Sequence, residues 1–343
     1  MSAVDLEPGL VAAPMPPVAS DSSVLASPAR DAGAGAVPSA AELGLNRLSL
    51  RLIALQVVVL AVSVPLYPLL GLSISWPTVP PFAICLTAIG AAWLYHAWMP
   101  GRPNEWIVAE AISVTFLLVS LTVVVAPAQY AAIALKRPLI DPWLAAADAV
   151  MGVHVPTLAA WTLKHRVFSW ILTLAYVTLP LQLILPVFVL GMMKRNREAL
   201  WEYCFHFHFC LIVTLVSLAL FPAVCAFNYY GFTPTLDEAR FTAQFIGLRE
   251  GTFTVIRFND LEGLISMPSF HTAAGLMVTW CFRQHRNWTA MLAILNVLMI
   301  AATFMSGAHY FVDVLATLIL FLVSVLIYRR WGESFVSPSA ERP

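Results

Sequence analysis

Seven apolar stretches of roughly 18 to 25 residues, near 49–72, 80–99, 106–135, 167–193, 206–227, 287–306 and 308–328, leave this chain few folds to choose from. Each is long enough to cross a hydrocarbon core. Backbone polar groups in lipid must be satisfied inside their own element, so the stretches predict helices. An eighth stretch, near 270–284, is shorter and opens on His271. Of 343 residues, 60% are hydrophobic and 11% charged, too little polar surface to coat a soluble globule of this size. The expected fold class is all-α: a polytopic membrane helix bundle of about eight transmembrane helices.

The first 45 or so residues are rich in Ala, Pro, Ser and Val and lack the basic and apolar regions of a signal peptide. They read as a disordered tail. Residues 46–100 then hold two N-terminal spans, 101–332 the main membrane domain, and 333–343 a C-terminal tail. If the first tail is cytoplasmic and the helices alternate, twelve of the 19 Lys and Arg residues lie inside. The short outside links 73–79 and 306–308 carry none, as the positive-inside rule expects. Both termini are then cytoplasmic. The 136–166 loop, the 228–270 loop and the Ser306–His309 link share the other face, periplasmic or lumenal. Within the first loop, the residues from Asp141 to Met151 have apolar helical spacing with a proline at the start, predicting a helix along the interface. The second loop, with its glycines and charges, predicts irregular backbone.

Several classes drop out. A net charge of zero without a Lys/Arg block argues against nucleic-acid partners. The five cysteines form no CxxC pair and fall mostly in apolar runs, so neither a disulfide framework nor a zinc site is expected. His206 and His208, two apart on a helix, point to different faces and read as core or interfacial residues. Glu110, near the start of the third span, reads as a boundary residue.

Two short stretches carry the chemistry. Met267-Pro268-Ser269-Phe270-His271 and Gly307-Ala308-His309-Tyr310-Phe311-Val312-Asp313 each place a histidine where a polar loop meets an apolar run, on the same face. Asp313 follows His309 by four residues, so on a helix it lies on the same face and can orient the ring. Ser269 is a plausible N-cap for the helix that carries His271, and Ser306-Gly307 for the helix that carries His309. Two helix N-termini aimed at one site favour an anion, with phosphate the usual guest. The reaction that fits is displacement at phosphorus: His309 attacks, Asp313 stabilises its imidazolium, and His271 serves as acid and base. A proton-relaying transporter would use the same three ionisable groups. A metal-dependent hydrolase would use them as ligands.

Pro268-Ser269-Phe270-His271 and His309-Tyr310-Phe311-Val312-Asp313 resemble the second and third signature motifs of the type 2 phosphatidic acid phosphatase superfamily of membrane lipid phosphatases and phosphotransferases. The resemblance implies a six-helix catalytic core within 101–332, with His271 as acid/base, His309 as nucleophile and Asp313 as orienter. It implies a phosphohistidine intermediate, no cofactor and no metal. The run Leu261–Thr272 and the Gly-x-His-Tyr-x-x-Asp form look closest to the inositol-phosphorylceramide synthase branch. That likeness implies a phospholipid or lipid-phosphate donor in the bilayer, a sphingolipid or other lipid hydroxyl as acceptor, and transfer of a phosphorylated headgroup such as phosphoinositol. Hydrolysis of a lipid phosphate or pyrophosphate is the alternative. Ser269, Gly307, Lys136 and Arg137 are expected around the phosphate. Asp141 and Asp148 resemble acidic positions of the same branch, and Glu262 and the loop cations Arg240, Arg249 and Arg257 are further candidates. The chain departs from the phosphatase pattern at Thr303, where those enzymes carry an arginine, and at Tyr130, where their first motif carries a lysine. The missing arginine sets it apart from a simple phosphatidic acid hydrolase.

Overall fold

The computed structural model describes residues 47–98, 105–232 and 236–335. The expected N-terminal tail, and the C-terminal tail from 336 onward, lie outside the described residues. The chain runs through α1 (Arg47–Leu69), β1 (Ser73–Ile74), α2 (Pro80–Trp98), α3 (Glu105–Ala134), α4 (Asp141–Val150), α5 (Val155–Lys164), α6 (Arg166–Val177) and α7 (Leu179–Pro186). It continues through α8 (Arg197–Leu220), α9 (Ala226–Tyr229), α10 (Leu236–Glu250), β2 (Val255–Ile256), α11 (Phe270–Cys281), α12 (Arg286–Met305) and α13 (Phe311–Phe335).

Among the described residues six spans are long and apolar enough to cross a membrane: α1, α3, the α6–α7 rod with its π-helical extension to Met193, α8, α12 and α13. Their outward faces carry Val58, Val62, Val167, Trp170, Leu181, Ile294, Val297, Ile319 and Leu322, all exposed. Such a belt would be a liability in water and is the normal coat of a bundle in lipid. This is an integral membrane protein. The α6–α7 rod breaks at Thr178, with Pro180 in the first turn of α7, where a missing N–H costs nothing.

The centre of the bundle is α3 against α8, the two most enclosed spans. Their contact buries Trp201, Tyr203, Cys204, Leu117 and Leu121. His206 and His208 are fully buried on α8 with separate partners: the Ser324 hydroxyl at 2.6 Å and the Gln56 amide at 3.0 Å. Glu110 is buried and paired with Arg197 rather than left at a wet boundary.

Two expected features differ. In the 136–166 loop the expected helix forms as α4, and a second helix that was not expected, α5, meets it at 78° across a turn in which Gly152 has φ +74°. The 228–270 loop, expected to be irregular, contains the helix α10. The short eighth stretch is helical only from Phe270 to Cys281, about 18 Å at 1.5 Å per residue, well under a hydrocarbon thickness. Ahead of it, residues 261–269 are not helical although Leu264, Ser266 and Ser269 are fully buried.

Buried backbone without a helix must find other partners. Here α3 supplies them. The Gln129 amide donates to the Glu262 carbonyl at 2.7 Å and accepts from the Leu264 N–H at 2.8 Å. The Tyr130 hydroxyl accepts from the Glu262 N–H at 2.9 Å and donates to Gln244 on α10. β1 pairs in parallel with β2, Ser73 opposite Val255, and Ile140 N–H donates to the Pro222 carbonyl at 3.0 Å. The α1–α2 link, the exit of α3, the exit of α8 and the approach to α11 are thereby tied together at one end of the bundle.

Gln129→Leu keeps the volume but strands one buried N–H and one buried carbonyl. It is expected to destabilise the protein by about 3 kcal/mol, read as a lower unfolding midpoint in detergent. An unchanged midpoint would show that the 262–264 segment does not depend on Gln129.

Candidate active site

The start of α11 is built by its cap. Ser269 adopts extended backbone and its hydroxyl accepts from the Thr272 N–H at 3.3 Å, the N-cap arrangement expected of a serine there. His271 follows in the first turn.

His309 arrives differently from expectation. Ser306-Gly307 does not begin the helix that carries it; Gly307 lies just past the end of α12, and α13 starts only at Phe311. Gly307 has φ +91°, and a Cβ there would stand 2.7 Å from the Phe232 ring. Its N–H goes to the Phe304 carbonyl and its own carbonyl accepts from the Phe227 N–H at 2.8 Å. Only glycine fits this left-handed, crowded position. His309 therefore sits in the turn between two helices, with its N–H on the Thr303 carbonyl at 3.0 Å.

The turn nevertheless brings Asp313 to the ring. Asp313 Oδ2 lies 3.4 Å from His309 Nδ1 and accepts from the Tyr310 N–H at 3.0 Å. Asp313 is fully buried, and its other oxygen has no hydrogen-bond partner among the described residues. With Nδ1 facing a carboxylate, the proton of a neutral ring belongs on Nδ1 and the lone pair on Nε2. Nε2 points to the Ser269 hydroxyl at 3.3 Å, at the start of α11. The His271 and His309 ring centroids are 6.0 Å apart at 65°.

Two carboxylates of α4 hold this segment from the side. Asp148 accepts from the N–H groups of Phe311 and Val312 at 2.9 and 2.8 Å, capping α13 from another helix. Asp141 accepts from the Val224 N–H at 3.0 Å and from the Tyr310 hydroxyl at 2.9 Å. Both aspartates anticipated as site residues are fully engaged with protein groups next to His309.

The expected cations are more dispersed. Lys136, with φ +56°, and Arg137 are exposed where α3 ends and form no ion pair among the described residues. Arg249 donates to the Arg137 carbonyl at 2.9 Å; partial burial lowers its pKa and the nearby Asp141 carboxylate opposes the shift. Arg240 is bound to Glu262 at 2.8 Å and Asp260 at 3.5 Å, and Glu262 is thereby occupied. Arg257 is exposed. Thr303 is buried with its hydroxyl on the Ile300 carbonyl.

One site residue was not anticipated. Tyr176 on α6 stacks on His271 with centroids 4.8 Å apart, and its hydroxyl lies 2.8 Å from His271 Nε2. Nothing local marks it, because it stands 95 residues before its partner.

A family model described as the PAP2 superfamily matches residues 142–327, more than half of the chain, from the first turn of α4 to the body of α13. The chain belongs to the PAP2 superfamily. As a PAP2 protein it is a membrane enzyme of lipid phosphatase type, within a superfamily of phosphatases and phosphotransferases. All four of Ser269, His271, His309 and Asp313 fall inside the matched span. Nothing among curated proteins, and no solved structure, matches the chain.

Asp148→Ala removes the cap of α13 and is expected to cost about 1–2 kcal/mol of stability. Lipid-phosphate turnover should fall further, by roughly a hundredfold, as the His309 turn loses its position. Asp148→Asn, which keeps one acceptor, should recover part of both. Equal thermal midpoints and turnover in Asp148→Ala and wild type would remove Asp148 from this role.

Proposed function

We propose that this PAP2 enzyme cleaves a lipid-linked phosphate ester through a phosphohistidine on His309 and passes the phosphorylated group to a hydroxyl. The observation that carries the reading is the division of labour on one imidazole: Asp313 behind Nδ1, and Nε2 facing Ser269 at the start of α11. Nε2 attacks phosphorus while Asp313 stabilises the positive charge that develops on the ring. His271, 6.0 Å away between ring centroids, protonates the departing oxygen and later takes the proton of the acceptor. The first N–H groups of α11 stabilise the equatorial oxygens, and Lys136 and Arg137 supply positive charge at the rim. The roles given to Gly307 and Asp141 are to shape and hold the His309 turn. The reaction runs without a metal or cofactor.

Transfer is preferred to plain hydrolysis because Thr303 and Tyr130 replace the two cations of the phosphatase pattern. Both are committed to protein contacts: Thr303 to Ile300, and Tyr130 to Glu262 and Gln244. A donor that keeps its headgroup ester carries one negative charge fewer than a phosphate monoester and needs fewer cations. A phosphoinositol-bearing lipid donor and a lipid hydroxyl acceptor satisfy this, with water as the competing acceptor. The charge bias of the loops orients the site toward the non-cytoplasmic face, with both termini inside.

Purified protein, incubated in chelator with a panel of phospholipids and lipid phosphates, with and without hydroxylated lipid acceptors, tests the reading. Wild type should turn over at least one donor and carry an alkali-stable, acid-labile phosphoryl label. His309→Ala should lose label and turnover together. His271→Ala should retain its fold and lose about 10²- to 10⁴-fold in rate. Turnover that survives His309→Ala would eliminate the phosphohistidine.

A further inference from the structure

An open cleft of about 130 Å³ lies between α5, α6 and α12, and the Tyr176 side chain that contacts His271 forms part of its wall. Its lining is unusual for a bundle in lipid. Five of its seven residues carry hydroxyls: Thr162, Ser169, Thr173, Tyr176 and Ser306. The Thr162 hydroxyl is donated to the Leu158 carbonyl and keeps its lone pairs, and the Ser306 hydroxyl reaches the Thr303 carbonyl only at 3.5 Å. The side chains of Ser169 and Thr173 make no hydrogen bond among the described residues, although serine and threonine on helices usually bond back to their own backbone. Elsewhere in this chain Ser113, Thr115, Thr122 and Thr279 do so.

The cleft also reaches the chemistry. Its Tyr176 hydroxyl lies on Nε2 of His271, and its Ser306 adjoins the Gly307 turn that positions His309. An oxygen held in this cleft against the Tyr176 hydroxyl is therefore one hydrogen bond removed from His271 Nε2, and Tyr176 is the group through which a proton would pass between them. The space is roomy enough for several waters or a small polar group. The unpaired Ser169 and Thr173 hydroxyls, with the free lone pairs of Thr162, recognise a hydroxylated ligand, because an analogue without hydroxyls leaves them unsatisfied.

We propose that the α5–α6–α12 cleft is a polyol subsite, holding the polyhydroxylated part of a substrate beside His271. It deepens the functional reading above and rests on it for the identity of the reacting centre. The polyol comes either from the headgroup of the donor lipid or from the acceptor.

The full-length protein with Thr173→Phe, which fills the cleft from its wall, separates these sources. If the donor headgroup binds here, the ratio of kcat/KM for phosphatidylinositol to that for phosphatidic acid falls at least fivefold relative to wild type. If the acceptor binds here, the ratio of product formed with added inositol to product formed with water falls at least fivefold. Thr173→Val, which keeps the volume and removes the hydroxyl, should move the same ratio less far in the same direction. Both ratios unchanged in Thr173→Phe would overturn the subsite.

A binding measurement keeps this apart from the catalytic reading. In a Cys85→Ser, His309→Ala background, Thr173→Cys should react with a small maleimide at a rate slowed at least threefold by inositol or by phosphatidylinositol, and not by phosphatidic acid. Protection without turnover by the wild-type enzyme would leave the subsite standing and sink the functional reading. Turnover without protection would do the reverse.

Discussion

The grip of α4 on the residues that follow His309 is the constraint on which the site depends. His309 belongs to no helix, so its position is set by what holds the turn at either end. Upstream, Gly307 reverses the chain in a space that admits no side chain. Downstream, Asp148 takes the first two free N–H groups of α13 and Asp141 takes the Tyr310 hydroxyl. A carboxylate at a helix N-terminus answers both the unpaired donors and the positive dipole end. Supplied from another helix, it also fixes where that terminus lies.

The other half of the site solves a different problem. The segment 261–269 passes through the buried end of the bundle as irregular backbone, which lipid-exposed chain could not do. Gln129 and Tyr130 of α3 pair with its amides and carbonyls, so it is effectively lined by polar protein. That frees Ser269 to cap α11 and places the first turn of α11 opposite His309 Nε2. Tyr130 thus stands where the phosphatase pattern has a cation and serves as scaffold.

Much of this was legible in the chain. The long spans, the shared end of the bundle for both histidines and the Ser269 cap follow from apolar run length and residue spacing, whereas the expected His309–Asp313 contact is reached through a turn and not along a helix face. Other features were misread for definite reasons. Ser306-Gly307 looks like a helix start, because serine caps helices and glycine tolerates many roles; the left-handed backbone of Gly307, φ +91°, makes it a helix end, and the Phe232 ring beside it admits no side chain. The 228–270 segment looked irregular from its glycines and charges, yet α10 forms there and its Phe245 is fully buried among the core residues.

Sequence alone determined which segments are long and apolar enough to cross a membrane and which side chains are candidates for the chemistry. Transfer of a twenty-residue apolar run into lipid is a local sum over neighbours, and four-residue spacing is local geometry. Tertiary structure alone decided that Tyr176 meets His271, that Asp148 caps α13 and that Gln129 carries the approach to α11. Each of these joins groups 95 to 163 residues apart. A lone tyrosine, aspartate or glutamine on an apolar helix is satisfied by any complementary group within about 3 Å, and only the packing of the bundle says which group that is.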